Sequence, residues 1–74
     1  MIKINWDEFK SYKLEVKSKD DNFIALVNFM KSYYNMSSPR EMFESFAKDD
    51  LAVMMLEKRD ISSPSDLESY LGKI

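Results

Sequence analysis

The stretch NFIALVNFMKSYY, residues 22–34, decides the fold, because only three of its last twelve residues are neither apolar nor aromatic. At helical spacing those three form a narrow polar strip, and the rest of the helix surface is apolar. Such a helix requires cover from other helices or from a partner. Asp21 or Asn22 can cap its start, so the sequence predicts a central helix over residues 22–34.

Two later stretches share an opening phrase, SSPREMFESF at residues 37–46 and SSPSDLESYL at residues 62–71. Each places a serine at the N-cap, a proline at the first helical position and an acid at the third. The acid also suits the positive end of the helix dipole. Residues that would face solvent differ, with Arg40 in one stretch corresponding to Ser65 in the other. We therefore interpret the repeat as two helix starts and not as a duplicated binding motif.

The N-terminal segment fits either a helix or a strand. Asn5 and Glu8 have the spacing of a capping box. Four apolar residues then fall on one helix face: Trp6, Phe9, Tyr12 and Val16. In the alternative, YKLEVK at residues 12–17 alternates apolar and polar side chains and pairs with residues 2–4 in a β-hairpin over residues 2–17. We favour the helix, because Lys, Leu and Glu are good helix formers and an isolated hairpin is marginal.

The expected fold is all-α, a single small helical domain over residues 1–74 built as a bundle of four to five short helices. The predicted helices cover residues 6–17, 22–34, 39–48, 51–59 and 64–71, with a break near Asp49-Asp50. If residues 2–17 form a hairpin, the fold is α+β instead. The run LAVMML at residues 51–56 is apolar on all sides and is expected to be buried on more than one of them. Gly72 is expected as the C-cap of the last helix.

The composition argues against several classes of function. The 74 residues include no Cys and no His, which removes the usual nucleophile, imidazole acid–base and zinc chemistry, and a single Gly leaves no phosphate-cradling loop. We therefore expect no enzyme activity, no metal and no cofactor. A formal net charge of −2 gives no general attraction for nucleic acid. No apolar run approaches the roughly 20 residues of a membrane span, which favours a cytoplasmic protein that does not enter membranes.

A row of lysines on the first predicted helix is a candidate contact for phosphate groups or for an acidic partner. Lys10, Lys13 and Lys17 have i, i+3, i+7 spacing beside the aromatic face of that helix. The structural alternative is favoured, because lysine stems commonly cover the edge of a core while the amines stay in water. Nucleic-acid binding is accordingly an alternative to the main hypothesis.

The main candidates for a partner surface are Tyr33, Tyr34, Met54 and Met55. Methionine and tyrosine are favoured at protein interfaces, and two nearly all-apolar helices in so short a chain leave apolar surface to cover. Both residue types are also ordinary core residues. For Met54 the core is the favoured position, whereas at least one of the two tyrosines is expected at the surface.

Together these features predict a small cytosolic protein-interaction module that acts as an adaptor, inhibitor or regulatory subunit. Its partner is another protein or a second copy of itself, and a purely structural homo-oligomer is the other alternative. Usage rich in Lys and Asn, with almost no Gly or Pro, is typical of AT-rich bacterial and phage genomes. We therefore expect a bacterial or phage accessory protein.

Overall fold

The computed structural model describes residues 3–73, and within them it contains five α-helices and no strand. The helices are α1 (Trp6–Val16), α2 (Asn22–Tyr33), α3 (Pro39–Ala47), α4 (Asp50–Lys58) and α5 (Pro64–Gly72). The all-α prediction is confirmed, and each predicted boundary lies within one residue of the observed one. In that same part of the chain no helix has the length and apolar character needed to cross a bilayer.

Helix α1 forms where the hairpin was the alternative, and its start explains why. The Asn5 side-chain oxygen accepts hydrogen bonds from the backbone N–H groups of Asp7 and Glu8, each 3.1 Å long, and the Asn5 amide donates to Glu8 Oε1 at 2.9 Å. The alternating pattern of residues 12–17 does not mark a buried strand face, because Leu14 is 79% exposed. The hairpin alternative is therefore wrong over the described residues; residue 2 lies outside them.

Helix α2 lies at the centre of the core, as predicted. Six of its residues are buried: Phe23, Ala25, Leu26, Val27, Phe29 and Met30. Towards its end, the Phe29 ring lies 5.5 Å from Phe9 and 5.3 Å from Tyr12 of α1. Towards its start, Phe23 meets rings of α3 and α5, with centroids 5.8 Å from Phe46 and 5.5 Å from Tyr70. Tilted and edge-on aromatic contacts of this kind therefore pack α2 on two sides.

The repeated phrase starts two helices, but its serines act differently. In α5 the Ser63 hydroxyl accepts a hydrogen bond from the Asp66 N–H at 3.1 Å, the expected cap. The Asp66 carboxylate reaches back to the N–H and hydroxyl of Ser62, both at 3.0 Å, and these bonds lower the pKa of Asp66. In α3 the Ser38 side chain makes no capping hydrogen bond, so that part of the prediction is wrong. Proline at the first turn, which fixes a helical φ, is common to both starts.

Both ends of α4 are tied to the helices that precede it. At its start, Asp49 accepts from the Ala52 N–H at 3.1 Å and from the Trp6 indole N–H at 2.9 Å. At its end, Arg59 donates to both carboxylate oxygens of Asp21, at 2.9 and 2.8 Å, and to the Met55 carbonyl at 2.9 Å. These contacts fix α4 beside the starts of α1 and α2.

Three helices end at side chains in the left-handed backbone region, where glycine is usual. Lys17, Asn35 and Asp60 follow α1, α2 and α4 with φ of 51°, 55° and 56°. The expectation for Gly72 is wrong: it is the last residue of α5, and Lys73, with φ of −90°, is the C-cap. The chain therefore places its one glycine at a position that does not need glycine's conformational freedom.

Candidate functional site

The two adjacent tyrosines at the end of α2 have different environments. Tyr33 is 55% exposed, and its ring stacks on Phe29 with centroids 5.0 Å apart and an interplanar angle of 25°. Tyr34 is partly buried and meets Tyr33 edge-on at 5.3 Å. The Tyr34 hydroxyl accepts a long hydrogen bond of 3.4 Å from the Asn5 N–H. Tyr33 is therefore a fixed surface ring, whereas Tyr34 supports the joint between α1 and α2.

Tyr33 borders a groove of about 350 Å³ along one side of α1. The groove is lined by Asn5, Asp7, Glu8, Ser11, Tyr12, Glu15 and Tyr33. Apart from Tyr33, all of these belong to α1 or its N-cap. The groove thus combines two tyrosine rings with three carboxylates, and we call it the tyrosine–carboxylate groove.

The charge of the tyrosine–carboxylate groove is negative. Within residues 3–73 no lysine or arginine lines it, and the one ion pair joins Arg59 to Asp21 on other elements. Glu8 Oε2 is buried and makes no hydrogen bond of good geometry to any described residue. The Glu8 carboxylate, as a nearby hydrogen-bond acceptor for the Tyr33 hydroxyl and through its negative charge, raises the pKa of Tyr33. An added cation would therefore meet uncompensated negative charge beside an aromatic ring.

The two methionines of α4 also differ in exposure. Met54 is 54% exposed, so the expectation that it lies in the core is wrong, whereas Met55 is partly buried. Leu51 is 53% exposed and lies one turn before Met54 on the same helix face. Only Ala52 and Leu56 of α4 are buried. The reason is position: α3 packs against one side of α4, and the face with Leu51 and Met54 points away from the core.

The four predicted partner residues therefore do not form one surface. Tyr33 lies in a groove to which no residue of α4 contributes, while Met54 lies on the outer face of α4. Sequence reasoning also missed Glu8, Tyr12 and Glu15. Their i, i+4, i+7 spacing, which puts side chains on one helix face, was the available signal.

The predicted lysine row is divided between structural and exposed positions. The Lys13 amine donates to Asn22 Oδ1 at 2.9 Å and lies 5.1 Å from the centre of the Phe9 ring. Lys17 is the left-handed C-cap of α1, and Lys10 is exposed. A cavity of about 380 Å³ beside the row is lined by Lys10, Lys13, Leu14, Ser18, Asp20 and Asn22. Lys13 therefore holds α1 to the start of α2, and Asp20 reduces the positive charge of the cavity.

Comparison with known proteins identifies no relative: no family model, curated protein or solved structure matches the chain. Among the described residues, no three or more acidic side chains converge as they would around a metal ion. The function must therefore be inferred from the geometry and charge of the surface.

Proposed function

We propose that this domain is a protein-interaction module that binds a basic segment of another protein in the tyrosine–carboxylate groove. The observation that carries the proposal is the combination of two tyrosine rings and three carboxylates around one groove that no lysine or arginine of residues 3–73 lines. A cytoplasmic adaptor, inhibitor or regulatory subunit of bacterial or phage origin is the role that fits such binding, without catalysis.

The groove suits a lysine or arginine side chain in both shape and charge. A cation over an exposed tyrosine ring gains about 0.5–1 kcal/mol, and charge-assisted hydrogen bonds to carboxylates add to this. Because Tyr33 is already stacked on Phe29, little side-chain entropy is lost when a partner packs on it. The volume of about 350 Å³ is at the small end of the range for ligand pockets, which suits one side chain and its neighbours.

The same charges disfavour two other ligands. Phosphate groups of a nucleic acid would be repelled by Asp7, Glu8 and Glu15. A divalent metal ion requires several converging ligands, and these carboxylates do not converge in that way. An organic cation on a protein segment is therefore the preferred occupant.

Titration with a tetra-arginine peptide, followed by backbone amide shifts in NMR spectra, tests the proposal. We expect the shifts to concentrate on Tyr33 and the groove-lining residues of α1. Tyr33→Ala removes the exposed ring and should weaken binding about fivefold, which corresponds to ~1 kcal/mol. Because the Tyr33 side chain is more than half exposed, we expect this variant to fold.

Glu15→Gln and Glu44→Gln provide a matched control. Each removes one exposed carboxylate, but only Glu15 lines the groove. We expect Glu15→Gln to weaken peptide binding and Glu44→Gln to leave it unchanged. Equal losses in the two variants, or shifts spread evenly over the surface, would contradict the proposal and indicate unspecific attraction to the net negative charge.

Phosphate or nucleic-acid binding by the lysine row of α1 stays a rival hypothesis. Binding of that kind falls steeply as salt is added. Lys13 contacts Asn22, so Lys10→Glu, at an exposed position, is a cleaner test than Lys13→Glu. Salt-sensitive binding of a single-stranded oligonucleotide that disappears in Lys10→Glu would assign the function to this side of α1.

A further inference from the structure

Tyr33 lines the tyrosine–carboxylate groove with a ring that has one uncovered face. Phe29 covers the other face, because the two rings stack at 25° with centroids 5.0 Å apart. The Tyr34 centroid lies 5.4 Å from Phe29 and 5.3 Å from Tyr33, so this ring stands beside the stacked pair and not over the outer face of Tyr33. The Tyr33 side chain, 55% exposed, therefore offers a flat aromatic surface that is held from behind.

The two ends of the groove differ in chemistry. Tyr33 lies at the Glu8 end, since the Glu8 carboxylate is a nearby hydrogen-bond acceptor for its hydroxyl. One Glu8 oxygen accepts from the Asn5 amide at 2.9 Å and the other is buried, so Glu8 supplies negative charge but no open pair of oxygens. Glu15 is exposed and lies about 10.5 Å further along α1. The groove thus has an aromatic end at Tyr33 and a charged end at Glu15.

Two lysines lie near the groove without lining it. Lys3 lines a neighbouring cavity together with Asp7, so it offsets part of the charge of that carboxylate. Lys10 is exposed and lines a different cavity of α1, next to Lys13. Within residues 3–73 no lysine forms an ion pair with Glu8 or Glu15. Each end of the groove therefore keeps one uncompensated carboxylate.

We propose that the tyrosine–carboxylate groove selects arginine over lysine, with Tyr33 setting the selectivity and Glu15 attracting either side chain by its charge. A guanidinium is planar and weakly hydrated, so it can lie flat on the outer face of Tyr33 while its N–H groups point sideways to acceptors. An ammonium is compact and strongly hydrated, so it gains less from the ring. The inference rests on the function proposed above and names the basic residue that the partner segment carries.

Titrations with tetra-arginine and tetra-lysine peptides, followed by backbone amide shifts, test the inference at equal peptide charge. We expect tetra-arginine to bind about threefold more tightly, because only its side chains stack on the ring. Equal affinities at the groove would overturn the selectivity and leave the groove a general site for basic segments. Shifts outside the groove for both peptides would contradict the proposed function, and the inference with it.

Variants of the two ends assign the selectivity to one residue. Tyr33→Leu keeps an apolar side chain but removes the ring, so the two peptides should then bind equally. Tyr33→Phe keeps the ring and should keep the preference for arginine. Glu15→Gln should weaken both peptides to a similar degree and leave their ratio unchanged.

A preference for arginine that survives Tyr33→Leu, or one that disappears in Tyr33→Phe or Glu15→Gln, would overturn the inference. Far-ultraviolet circular dichroism checks that each variant folds. If Tyr33→Leu does not fold, the other two variants still provide the test, because both must keep the ratio of the two affinities.

Discussion

Helix α2 buries six of its twelve residues, whereas α4, which is nearly as apolar in sequence, buries two of nine. The difference lies in their neighbours. Aromatic rings from α1 pack on α2 near its end and rings from α3 and α5 near its start, while α4 lies at the edge of the fold. Apolar content shows that a helix needs cover, but the packing of the whole chain determines which helix is covered by its own domain.

The largest effect on stability is expected when one apolar side chain is replaced in each helix. Phe29 is fully buried and contacts four other aromatic rings, so Phe29→Ala should cost about 3–5 kcal/mol and leave this small domain largely unfolded. Met54→Ala, at an exposed position, should change the free energy of unfolding by less than about 0.5 kcal/mol. Urea denaturation followed by circular dichroism measures both. Similar decreases in the free energy of unfolding for the two variants would mean that Met54 of α4 is as buried as Phe29 of α2.

The next test concerns the contact between Arg59, at the end of α4, and Asp21, at the start of α2. Arg59 bonds Asp21 and the Met55 carbonyl, lies 4.8 Å from the centre of the Phe23 ring, and has a side chain only 18% exposed. Arg59→Ala should therefore destabilise the domain by about 1–2 kcal/mol. Lys58→Ala is the control, since Lys58 is exposed, and should be nearly neutral. Thermal melts of the two variants in dilute solution show whether the contacts of Arg59 or the loss of one positive charge lowers the stability.

Acid should weaken the same contact between Arg59 and Asp21. The hydrogen bond from Arg59 lowers the pKa of Asp21 below its ordinary value of 3.8. A carboxylate with a lowered pKa stabilises the fold above its unfolded pKa, and that stabilisation is lost as the pH falls through the folded value. The loss thus begins near pH 4 and should amount to at most about 1 kcal/mol, because the Asp21 side chain is 47% exposed. Urea midpoints measured between neutral pH and pH 3 should fall less in Asp21→Asn than in the natural sequence, and equal falls would contradict this role.

The smallest test compares how the two helices end. Asp60, after α4, and Asn35, after α2, both have positive φ. Asp60→Gly should stabilise the domain by about 0.5 kcal/mol, because glycine adopts this backbone without steric cost. Asn35→Gly should gain less, since asparagine is the other residue commonly found at this position. Destabilisation by Asp60→Gly would indicate that the aspartate side chain contributes more than its backbone strain costs.

The helices could be predicted from the sequence because their starts are local. Asn5, Pro39 and Pro64 each fix a first turn through residues no more than three positions away. The exposure of Met54 could not be predicted, because it depends on which helices pack around α4. Ser38 shows a finer limit: its position at the N-cap was predictable, but the lack of a hydrogen bond from its hydroxyl was not.

Only part of the tyrosine–carboxylate groove could be predicted from the sequence. Glu8, Tyr12 and Glu15 share a helix face by spacing alone. Their approach to Tyr33 requires α1 to pack on α2, in contacts made by residues about twenty positions apart in the chain. The sequence predicted Tyr33 as a contact residue by its type, and the negative charge around it became visible only with the packing.

Arg59 also affects the local unfolding of the two helix ends that it connects. Its guanidinium joins the last turn of α4 to the first turn of α2, so neither turn can fray without breaking the bonds that hold the other. Two helix ends that are 38 residues apart in the chain should then open in one cooperative step. We expect the amide hydrogens of these two turns to exchange with solvent at similar rates, and Arg59→Ala to make the two rates differ.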